Sequence, residues 1–453
     1  MVTLTDLKEA LTDIIASMTD FRYGGTARQA LREELGLLHP IINAKWAVKR
    51  YGIVFEEAGV RGGNPSVIRD GDIYRMYTTH RATSVDTYKI RLHTSLDGKT
   101  WTLVGNVITV AMVNAVGFNV DVVAHPSVIK VGNIYYLYFM GRQMQPWAIR
   151  REQIFLATST DGVAFANIIA VLTPRQNSME EQIWHPFIAK FRDKYYLTCI
   201  TTNLRLPAAN PMNYRLMLYV SDDLVTWSRL DIINMEGALG EWDAGRMYDH
   251  SILNINDSLL LILYATEITA GTSEMRIGLA YSFDMVNWFG RKMMLTRVLE
   301  SEARSIADAS ILYEGGKLKI WYEADDGVNV PATGQSTLRI LYAEATMGDN
   351  HLMELWINKA VVIAGDNTDD IDTKFDKKTF HLISDQAATV GVGAEGLFIQ
   401  AYDEAAGDFK TVDSISVVAA TLTPYTTYYN SRRMRLRFVP SAQAVVSAWV
   451  SMN

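Results

Sequence analysis

The sequence has one cysteine, little net charge and no long apolar run, and each shortage excludes a class of protein. Cys199 alone cannot form an intramolecular disulfide or a cysteine-rich zinc site. The 43 basic and 50 acidic residues give a net charge of −7, so no strong positive field attracts nucleic acid or an anionic membrane. The apolar run at residues 259–265 is too short to span a membrane. Residues 1–9 contain no apolar signal region, which predicts a protein that is made and folded in the cytosol.

The sequence does have ample material for a hydrophobic core. Hydrophobic residues make up 49% and aromatic residues 10% of the 453 positions. This composition is typical of globular proteins and excludes wholesale disorder. The length predicts two or three domains.

A five-fold repeat predicts the fold. Five similar segments, which begin at Asn64, His125, His185, Asp249 and Asp308, recur about every 60 residues. A hairpin turn and an aromatic or aliphatic strand follow each segment. A repeat of this length with four short strands is typical of a propeller blade, so we expect a mainly β protein with a five-bladed β-propeller over residues 52–364.

A second pattern recurs later in four of the five units. It has a serine, an aspartate two residues on and an aromatic residue four residues further. The copies are Ser95-Leu96-Asp97 with Trp101, Ser159-Thr160-Asp161 with Phe165, Ser221-Asp222-Asp223 with Trp227, and Ser282-Phe283-Asp284 with Trp288. The serine and aspartate predict a self-bonded turn, and the aromatic residue predicts packing against a neighbouring unit.

Three further segments flank the predicted propeller. Residues 1–51 have apolar residues at helical spacing from Leu4 to Met18, which predicts a helical N-terminal extension or anchor. Residues 365–377 form an acidic linker, either solvated or able to hold calcium through clustered carboxylates. Its aspartates are Asp366, Asp369, Asp370, Asp372 and Asp376. Residues 378–453 alternate apolar and polar positions, which predicts a small C-terminal β-sandwich-like domain.

Equivalent positions in the five blades form a ring around the channel, because the innermost strand of each blade lines the axis. The predicted ring is Asn64, His125, His185, Asp249 and Asp308. Two imidazoles and two carboxylates in one funnel could perform acid–base chemistry, hold a divalent cation or bind a polar ligand. A solvated structural ring, in which histidine and aspartate pair with each other, remains the alternative.

Other candidates surround the predicted mouth of this channel. They are His80, Arg81, Arg142, Glu181, Trp184, Arg205, Glu241, Trp242, Arg246, Glu267, Glu323 and Asp325. Aromatic faces beside carboxylates and arginines suit sugar rings, which offer both CH faces and hydroxyl groups. The competing interpretation is that the tryptophans pack between blades.

The repeated Pro-Ser-Val-Ile segment, the Gly-Asn turn and the Tyr-Tyr-Leu-Tyr strand resemble the five-bladed propeller glycoside hydrolases, namely the arabinanase, xylosidase, invertase and levansucrase families. This resemblance implies aspartates on the first strands of two early blades and a glutamate proton donor one blade on. Asn64 and His125 stand at the two aspartate positions, and Glu181 lies only near the third ring position. Because asparagine cannot transfer the catalytic proton, this departure weighs against an ordinary two-carboxylate glycosidase.

The segments 433–440 and 446–450 look like the end domains of phage tail and adhesion proteins. This resemblance implies a virion protein, made in the host cytoplasm without a signal peptide, whose N-terminal helices contact other tail proteins. It also implies a homo-trimer.

These patterns lead to three functional hypotheses. The first is a phage tail receptor-binding protein that recognises a surface glycan through the funnel. Its expected ligand-binding residues are Asn64, His125, His185, Asp249, Asp308, Arg142, Trp184 and Trp242. The alternative is a glycoside hydrolase with Asp249 and Asp308 as carboxylates and Glu267, Glu323 or Glu241 as proton donor. The third is a structural assembly module. No cofactor is required by any of them, although a divalent cation such as calcium could occupy the channel or the acidic linker.

Overall fold

The computed structural model describes most of the chain from residue 45 onward. The described residues are 45–57, 62–81, 88–143, 151–175, 178, 180–202, 214–233, 235, 242–255, 257, 259–267, 274–330, 335–348, 351–361, 366–367, 371–372, 378–384, 396–403, 408–417, 423–427, 433–439 and 444–452. The chain divides into two compact units, residues 1–45 and residues 46–453.

Four consecutive antiparallel sheets of four strands form the first four blades. They are β2(Ser66–Asp70), β3(Ile73–His80), β4(Lys89–Ser95) and β5(Thr102–Thr109); β6(Val120–Val131), β7(Ile134–Gln143), β8(Glu152–Ser159) and β9(Ala166–Leu172); β10(Gln182–Phe191), β11(Lys194–Thr202), β12(Tyr214–Ser221) and β13(Ser228–Ile233); and β14(Met247–Asn254), β15(Leu260–Glu267), β16(Met275–Ser282) and β17(Trp288–Leu295). The predicted mainly β, five-bladed propeller is confirmed.

The fifth blade takes its outer strand from the start of the described chain. Its sheet has the order β18(Ser305–Glu314), β19(Lys317–Asp325), β22(Leu338–Gly348) and β1(Lys45–Glu57). The short strands β20(Asn329–Val330) and β21(Gln335–Ser336) pair with each other beside it. The last blade is therefore completed by a strand that precedes the first blade, which closes the ring.

The prediction of a helical segment through residue 51 is wrong at its C-terminal end, because residues 45–51 belong to β1. The earlier part of that prediction, residues 1–44, lies outside the described residues. In the described chain the helices are short: α1(Val110–Ala115), which Thr109 caps by accepting a 3.2 Å hydrogen bond from the Met112 N–H, and a 3-10 turn at Glu300–Glu302.

Buried side chains fix β1 to the ring. Trp46 is fully buried. Arg50 donates a 2.6 Å hydrogen bond to the carbonyl of Thr296, and its Nε lies 3.4 Å from Oε1 of Glu302, which is also fully buried. Tyr51 donates a 3.0 Å hydrogen bond to Glu344 on β22. These contacts hold the N-terminal strand against the fourth-to-fifth blade connection as well as against its own sheet.

The Ser–Asp pattern builds the predicted turn in each of its four copies. In the first copy, Asp97 accepts hydrogen bonds of 2.8 and 2.7 Å from the backbone N–H groups of Lys99 and Thr100. Asp161, Asp223 and Asp284 accept the equivalent pairs. The aromatic residue packs on another blade in three copies: Trp101 on Trp321, Phe165 on Tyr77 and Trp227 on Tyr138. The structural interpretation of this pattern is confirmed.

The serine of the Pro-Ser-Val-Ile segment links neighbouring first strands. Ser66 accepts a 3.1 Å hydrogen bond from the Val128 N–H, and Ser127 accepts a 3.0 Å bond from the Ile188 N–H. Ser310 of the fifth blade accepts a 2.9 Å bond from the first blade. Each bond satisfies a backbone donor at the crowded axis, where adjacent sheets do not share a ladder.

The C-terminal part extends the sheet of the fifth blade and adds one further sheet. Its strands are β23(His351–Val361), β24(Asp366–Asn367), β25(Ile371–Asp372), β26(Lys378–Ser384), β27(Gly396–Asp403), β28(Asp408–Ile415), β29(Thr423–Thr427), β30(Arg433–Val439) and β31(Ala444–Met452). One sheet continues the fifth blade in the order β1-β23-β31-β26-β29, and the other pairs β24 and β25 with β30, followed by β27 and β28. Leu382 and Ala448 of the first sheet share a buried core with Leu397 and Phe438 of the second. Two short strands thus lie inside the segment that was predicted as a linker.

No helix in the described chain is long and apolar enough to cross a membrane.

Candidate functional site

The ring residues occupy unusual backbone positions. Asn64, His125, His185 and Asp308 have left-handed conformations, with φ of 46°, 52°, 45° and 49°. Strand pairing is interrupted at the ring residue in the second, third and fifth blades, which marks a β-bulge. Asparagine, aspartate and histidine tolerate this conformation better than other residues with side chains. The backbone therefore explains part of the ring's composition, and the bulges turn these side chains toward the axis.

The ring residues His125, His185 and Asp308 lie in direct contact. The rings of His125 and His185 have centroids 3.6 Å apart and planes inclined by 39°. His185 Nδ1 lies 3.2 Å from Asp308 Oδ1. The sequence-based expectation that histidine and aspartate meet in the channel is met here, across blades 2, 3 and 5.

The two ring aspartates differ in their titration. Burial raises the pKa of Asp249 well above its usual value and the charge of Asp308 adds to the rise, while the backbone amides of Asp308 and Ala309 oppose it only in part. Those amides lie outside hydrogen-bond geometry, and neither carboxyl oxygen of Asp249 has a hydrogen-bond partner. Burial also acts to raise the pKa of Asp308, but the hydrogen bond and charge of His185, aided by His125 and Asn64, outweigh it and lower that pKa. The pKa values of the two carboxyl groups are thus pushed apart, so Asp249 keeps its proton to higher pH than Asp308 does.

His125 is held neutral at the same place. Burial, with a contribution from His185, lowers its pKa well below the usual value. Its backbone N–H donates a 2.9 Å hydrogen bond to Thr79, and its Nδ1 is buried without a hydrogen-bond partner. An imidazole nitrogen is therefore left without a partner at the floor of the site.

A cavity of about 460 Å³ opens above the ring. Its floor includes all five ring residues, Asn64, His125, His185, Asp249 and Asp308. Side chains on its walls include Thr79, Arg81, Tyr88, Met140, Arg142, Glu152, Trp184, Tyr248, Met275, Arg304, Glu323 and Asp325. Of the predicted ligand-binding set, seven residues therefore line one cavity, and Trp242 is the exception.

Trp184 and Tyr248 line the cavity and form, with Tyr214 packed against both of them, an aromatic wall. The ring centroids of Trp184 and Tyr214 are 5.4 Å apart, and those of Tyr214 and Tyr248 are 5.1 Å apart. The guanidinium of Arg246 lies over Tyr214 and Tyr248, 4.8 and 5.1 Å from their centroids. Arg246 in turn makes two 2.9 Å hydrogen bonds to Glu267. Arg246 therefore supports the aromatic wall from behind.

Glu267 and Trp242 lie away from the cavity. Glu267, predicted as a proton donor, is completely buried in its ion pair with Arg246 and does not line the described cavity. Trp242, predicted as a ligand-binding residue, is 1% exposed and packs in the core against Tyr264. Their placement gives both residues a supporting role in packing. Glu241 and Arg205 lie outside the described residues.

Three other predicted charged residues, Arg142, Glu323 and Asp325, line the cavity and have specific partners. Arg142 makes two 2.9 Å hydrogen bonds to Asp121. Arg304 lies 3.3 Å from Asp325. Glu323 accepts a 3.2 Å hydrogen bond from the backbone N–H of Asn64. Glu323 also lies close to the backbone of Gly63, the residue before Asn64. A Cβ atom added to Gly63 would lie 2.2 Å from Oε2 of Glu323.

Sequence reasoning missed Tyr248, which lines the cavity. Its position contains the signal that could have found it, because Tyr248 precedes the ring residue Asp249 as Trp184 precedes His185. The residue before each ring position lies at the same point of a first strand. Comparing that register across blades would have predicted the aromatic wall.

Comparison with known proteins gives a family match over part of the chain and a similarity in fold. Residues 40–244 match the family described as beta-1,4-mannooligosaccharide phosphorylase. No curated protein matches the chain. A solved glycoside hydrolase is similar at 13% identity with a TM-score of 0.52, over 69% of this chain and 94% of its own. A family 32 beta-fructofuranosidase from Bombyx mori is similar at 13% identity and TM-score 0.50, over 100% of this chain and 99% of its own. An N-acetylgalactosamine deacetylase from F. plautii is similar at 14% identity and TM-score 0.50, over 65% of this chain and 92% of its own.

The matches contradict the first functional hypothesis. They point to glycoside hydrolases and phosphorylases, and a phage tail receptor-binding protein of a virion finds no support among them. The resemblance of the C-terminal segments to phage tail proteins is likewise unconfirmed. The hypothesis gave too much weight to the asparagine at position 64 and to the sequence pattern of the C-terminal strands. The propeller of this chain resembles the five-bladed propellers of glycoside hydrolases, in sequence over its first three blades and in fold throughout.

Proposed function

We propose that the chain is an enzyme that cleaves glycosidic bonds, with the cavity above the ring as active site and Asp249 as proton donor. The observation that carries the proposal is the split titration of Asp249 and Asp308 at the floor of a cavity. Two carboxyl groups whose pKa values are pushed apart supply an acid and a base in one site. The matched family supports cleavage of a glycosidic bond as the reaction.

Its backbone conformation sets Asp249 apart from the rest of the ring. Four ring residues adopt left-handed conformations that favour their residue types, but Asp249 is not among the residues with positive φ. Backbone geometry therefore gives no reason for an aspartate there. A buried carboxyl without a hydrogen-bond partner is costly to keep, and such costs are usual at functional positions.

Phosphate is the attacking group that the cavity favours. In phosphorolysis the attacking group is already an anion, so a single proton donor suffices and the asparagine at position 64 is no obstacle. Arg81, Arg142 and Arg304 line the cavity and offer cationic groups to a phosphate. The description of the matched family names this reaction for its members. Water activated by Asp308 is the second candidate, because Asp308 is ionised beside the acid.

The test is product analysis with β-1,4-linked mannooligosaccharides, with and without inorganic phosphate. We expect a sugar phosphate to form only when phosphate is present. Free reducing sugar in both reactions would instead assign hydrolysis. No cleavage of these or other plant and microbial oligosaccharides under either condition would overturn the proposal.

Asp249→Asn tests the proton donor, because it keeps the shape of the side chain and removes the transferable proton. We expect a loss of activity of about 10²- to 10⁴-fold, the usual contribution of general acid catalysis. Glu323→Gln is the matched control, since Glu323 lines the same cavity and was also a candidate donor. A larger loss for Glu323→Gln than for Asp249→Asn would transfer the role to Glu323.

Asp308→Asn tests the coupling of the two carboxyl groups. The charge of Asp308 raises the pKa of Asp249, so its removal lowers that pKa. A proton donor with a lower pKa is deprotonated sooner as pH rises, so the alkaline limb of the activity profile should move to lower pH. The limb should stay in place if Asp249 is not the donor.

A further inference from the structure

His125, His185 and Asp308 bring three ligand-type atoms to one point at the floor of the cavity. One nitrogen of each histidine and one oxygen of the carboxylate all lie within 4.8 Å of one another. Among the described residues, no other group of three histidine, cysteine, aspartate or glutamate side chains brings its ligand atoms this close together. The residues come from three different blades, so their convergence is a product of the closed ring.

The separation of two of these atoms fits a shared ion. Zinc binds histidine nitrogen at about 2.0–2.1 Å and carboxylate oxygen at about 2.0–2.2 Å, so two ligands of a tetrahedral ion lie about 3.4 Å apart. His185 Nδ1 and Asp308 Oδ1 are 3.2 Å apart. A direct hydrogen bond between them would give a similar distance. The distance between His185 and Asp308 therefore fits both a shared metal ion and a direct hydrogen bond. The environment of His125 distinguishes the two possibilities.

His125 is the residue that a hydrogen-bonded pair leaves unexplained. Its Nδ1 is buried and has no hydrogen-bond partner, although its ring is in contact with His185. A buried polar atom without a partner costs about 1–3 kcal/mol. A cation between the two imidazoles and the carboxylate would give this neutral ring a bond.

The surroundings hold the three side chains in place. His125, His185 and Asp308 are fixed by left-handed backbone conformations. The side chain of Asn64 is hydrogen-bonded to Asp308. Partners of this kind orient metal ligands and are part of most metal sites.

We propose that His125, His185 and Asp308 bind one divalent transition-metal ion of the zinc type, with its remaining coordination position open to the cavity. Imidazole suits zinc, copper, iron and nickel, whereas calcium takes six to eight oxygen ligands. The donor set therefore argues against the calcium ion expected from the sequence. Three protein ligands and one open position are the arrangement of catalytic rather than structural zinc sites.

This proposal does not rest on glycosidic bond cleavage, because binding is measured on the full chain without substrate. The protein is stripped with a chelator, dialysed and titrated with Zn²⁺ by calorimetry, and in parallel with Co²⁺ by visible absorption. We expect one ion per chain, with Co²⁺ absorption that reports nitrogen and oxygen ligands. Absence of binding by the wild-type protein would overturn the proposal.

Single substitutions locate the ion. His125→Ala and His185→Ala should each weaken Zn²⁺ binding at least 100-fold, and thermal unfolding of each variant shows whether the fold is kept. His125→Asn and His185→Asn, which suit the left-handed backbone, serve if the alanine variants unfold. Tyr248→Phe is the matched control, since Tyr248 lines the same cavity but is outside the ligand group, and it should change affinity less than tenfold.

Two results would contradict the assignment. Unchanged Zn²⁺ affinity in folded histidine variants would place the ion elsewhere in the chain. Ca²⁺ binding that is as tight as Zn²⁺ binding and is lost in the same variants would replace the transition metal with calcium.

Discussion

At the ring positions, the identity of a side chain meets two separate requirements. The left-handed backbone favours asparagine, aspartate and histidine, so four of the five residues have a structural reason to be there. Two features are not explained by the backbone and therefore point to a chemical role. They are the carboxyl group of Asp249 and the Nδ1 atom of His125, which are buried without hydrogen-bond partners. The sequence alone showed the ring but not which of its members the backbone already explains.

Buried histidine also sets a pH limit on stability. His93 is 1% exposed, and burial, with the charge of Arg91, lowers its pKa to about 4. In the unfolded chain its pKa is about 6.5. The unfolded state therefore binds the proton first, so the stabilisation by neutral His93 is complete above about pH 6.5 and is lost as pH falls toward 4.

We expect His93→Gln to flatten the fall in unfolding free energy between pH 6.5 and pH 4. The change should reach up to about 1.4 kcal/mol per pH unit, the value for one proton. Glutamine can still bond to Thr78, whose Oγ1 lies 3.2 Å from His93 Nε2. Urea unfolding at several pH values measures both slopes, and parallel slopes for the two proteins would contradict the assigned protonation.

Residue roles were predicted less well than residue positions. Trp242 and Glu267 were predicted to surround the mouth of the channel, but both are buried and neither lines the cavity. Sequence distance cannot show which face of a strand or loop points to the channel, because the β-bulges reset the alternation of side chains. Arg142 and Trp184, selected in the same way, do line the cavity.

Among the secondary-structure elements, the first strands form an inner ring joined by serine hydroxyls. Ser127 accepts the N–H of Ile188 in the next blade, and Ser66 and Ser310 act in the same way. The fourth blade has the same serine, Ser251, but its Oγ is buried and makes no hydrogen bond. One repeated residue type therefore has two different environments.

This difference provides an internal control. Ser127→Ala leaves the buried N–H of Ile188 without a partner and should cost about 1–3 kcal/mol of unfolding free energy. Ser251→Ala removes a hydroxyl that has no bond and should be close to neutral or stabilising. Denaturant unfolding of the two variants measures this, and equal losses would show that the inter-blade bond contributes nothing.

The sequence repeat predicted the strands of four blades, because each of these blades contains its own turn signals and its own alternation of apolar and polar residues. It did not give the outer strand of the fifth blade, which is β1 from the opposite end of the propeller. Local pattern contains no information about a partner so far away. The same limit applies to β24 and β25, two-residue strands within an acidic segment that predicted a linker.

For the whole molecule, closure of the ring depends on one N-terminal strand. Arg50 of β1 is the cationic partner of the fully buried Glu302. Removal of one member of a buried ion pair usually costs about 3–5 kcal/mol, because the other charge stays buried without compensation.

Arg50→Ala should therefore lower the unfolding free energy by about 3–5 kcal/mol. Lys49→Ala is the matched control, because its neighbour Lys49 is exposed on the same strand and should change stability by no more than about 0.5 kcal/mol. Calorimetric unfolding distinguishes the two variants. A similar, small effect of both would mean that β1 is not needed to keep the ring closed.

The pairing of β1 with the fifth blade also has a consequence for folding during synthesis, because β1 is made long before the strands with which it pairs. Tyr51 and its partner Glu344 are 293 positions apart. At about 5–20 residues per second, the strand that leaves the tunnel first waits roughly 15–60 s for the blade it completes. During that interval the nascent chain exposes an unpaired strand edge, a common starting point for aggregation. Expression of this protein should therefore respond to translation speed and to chaperones that shield emerging strands.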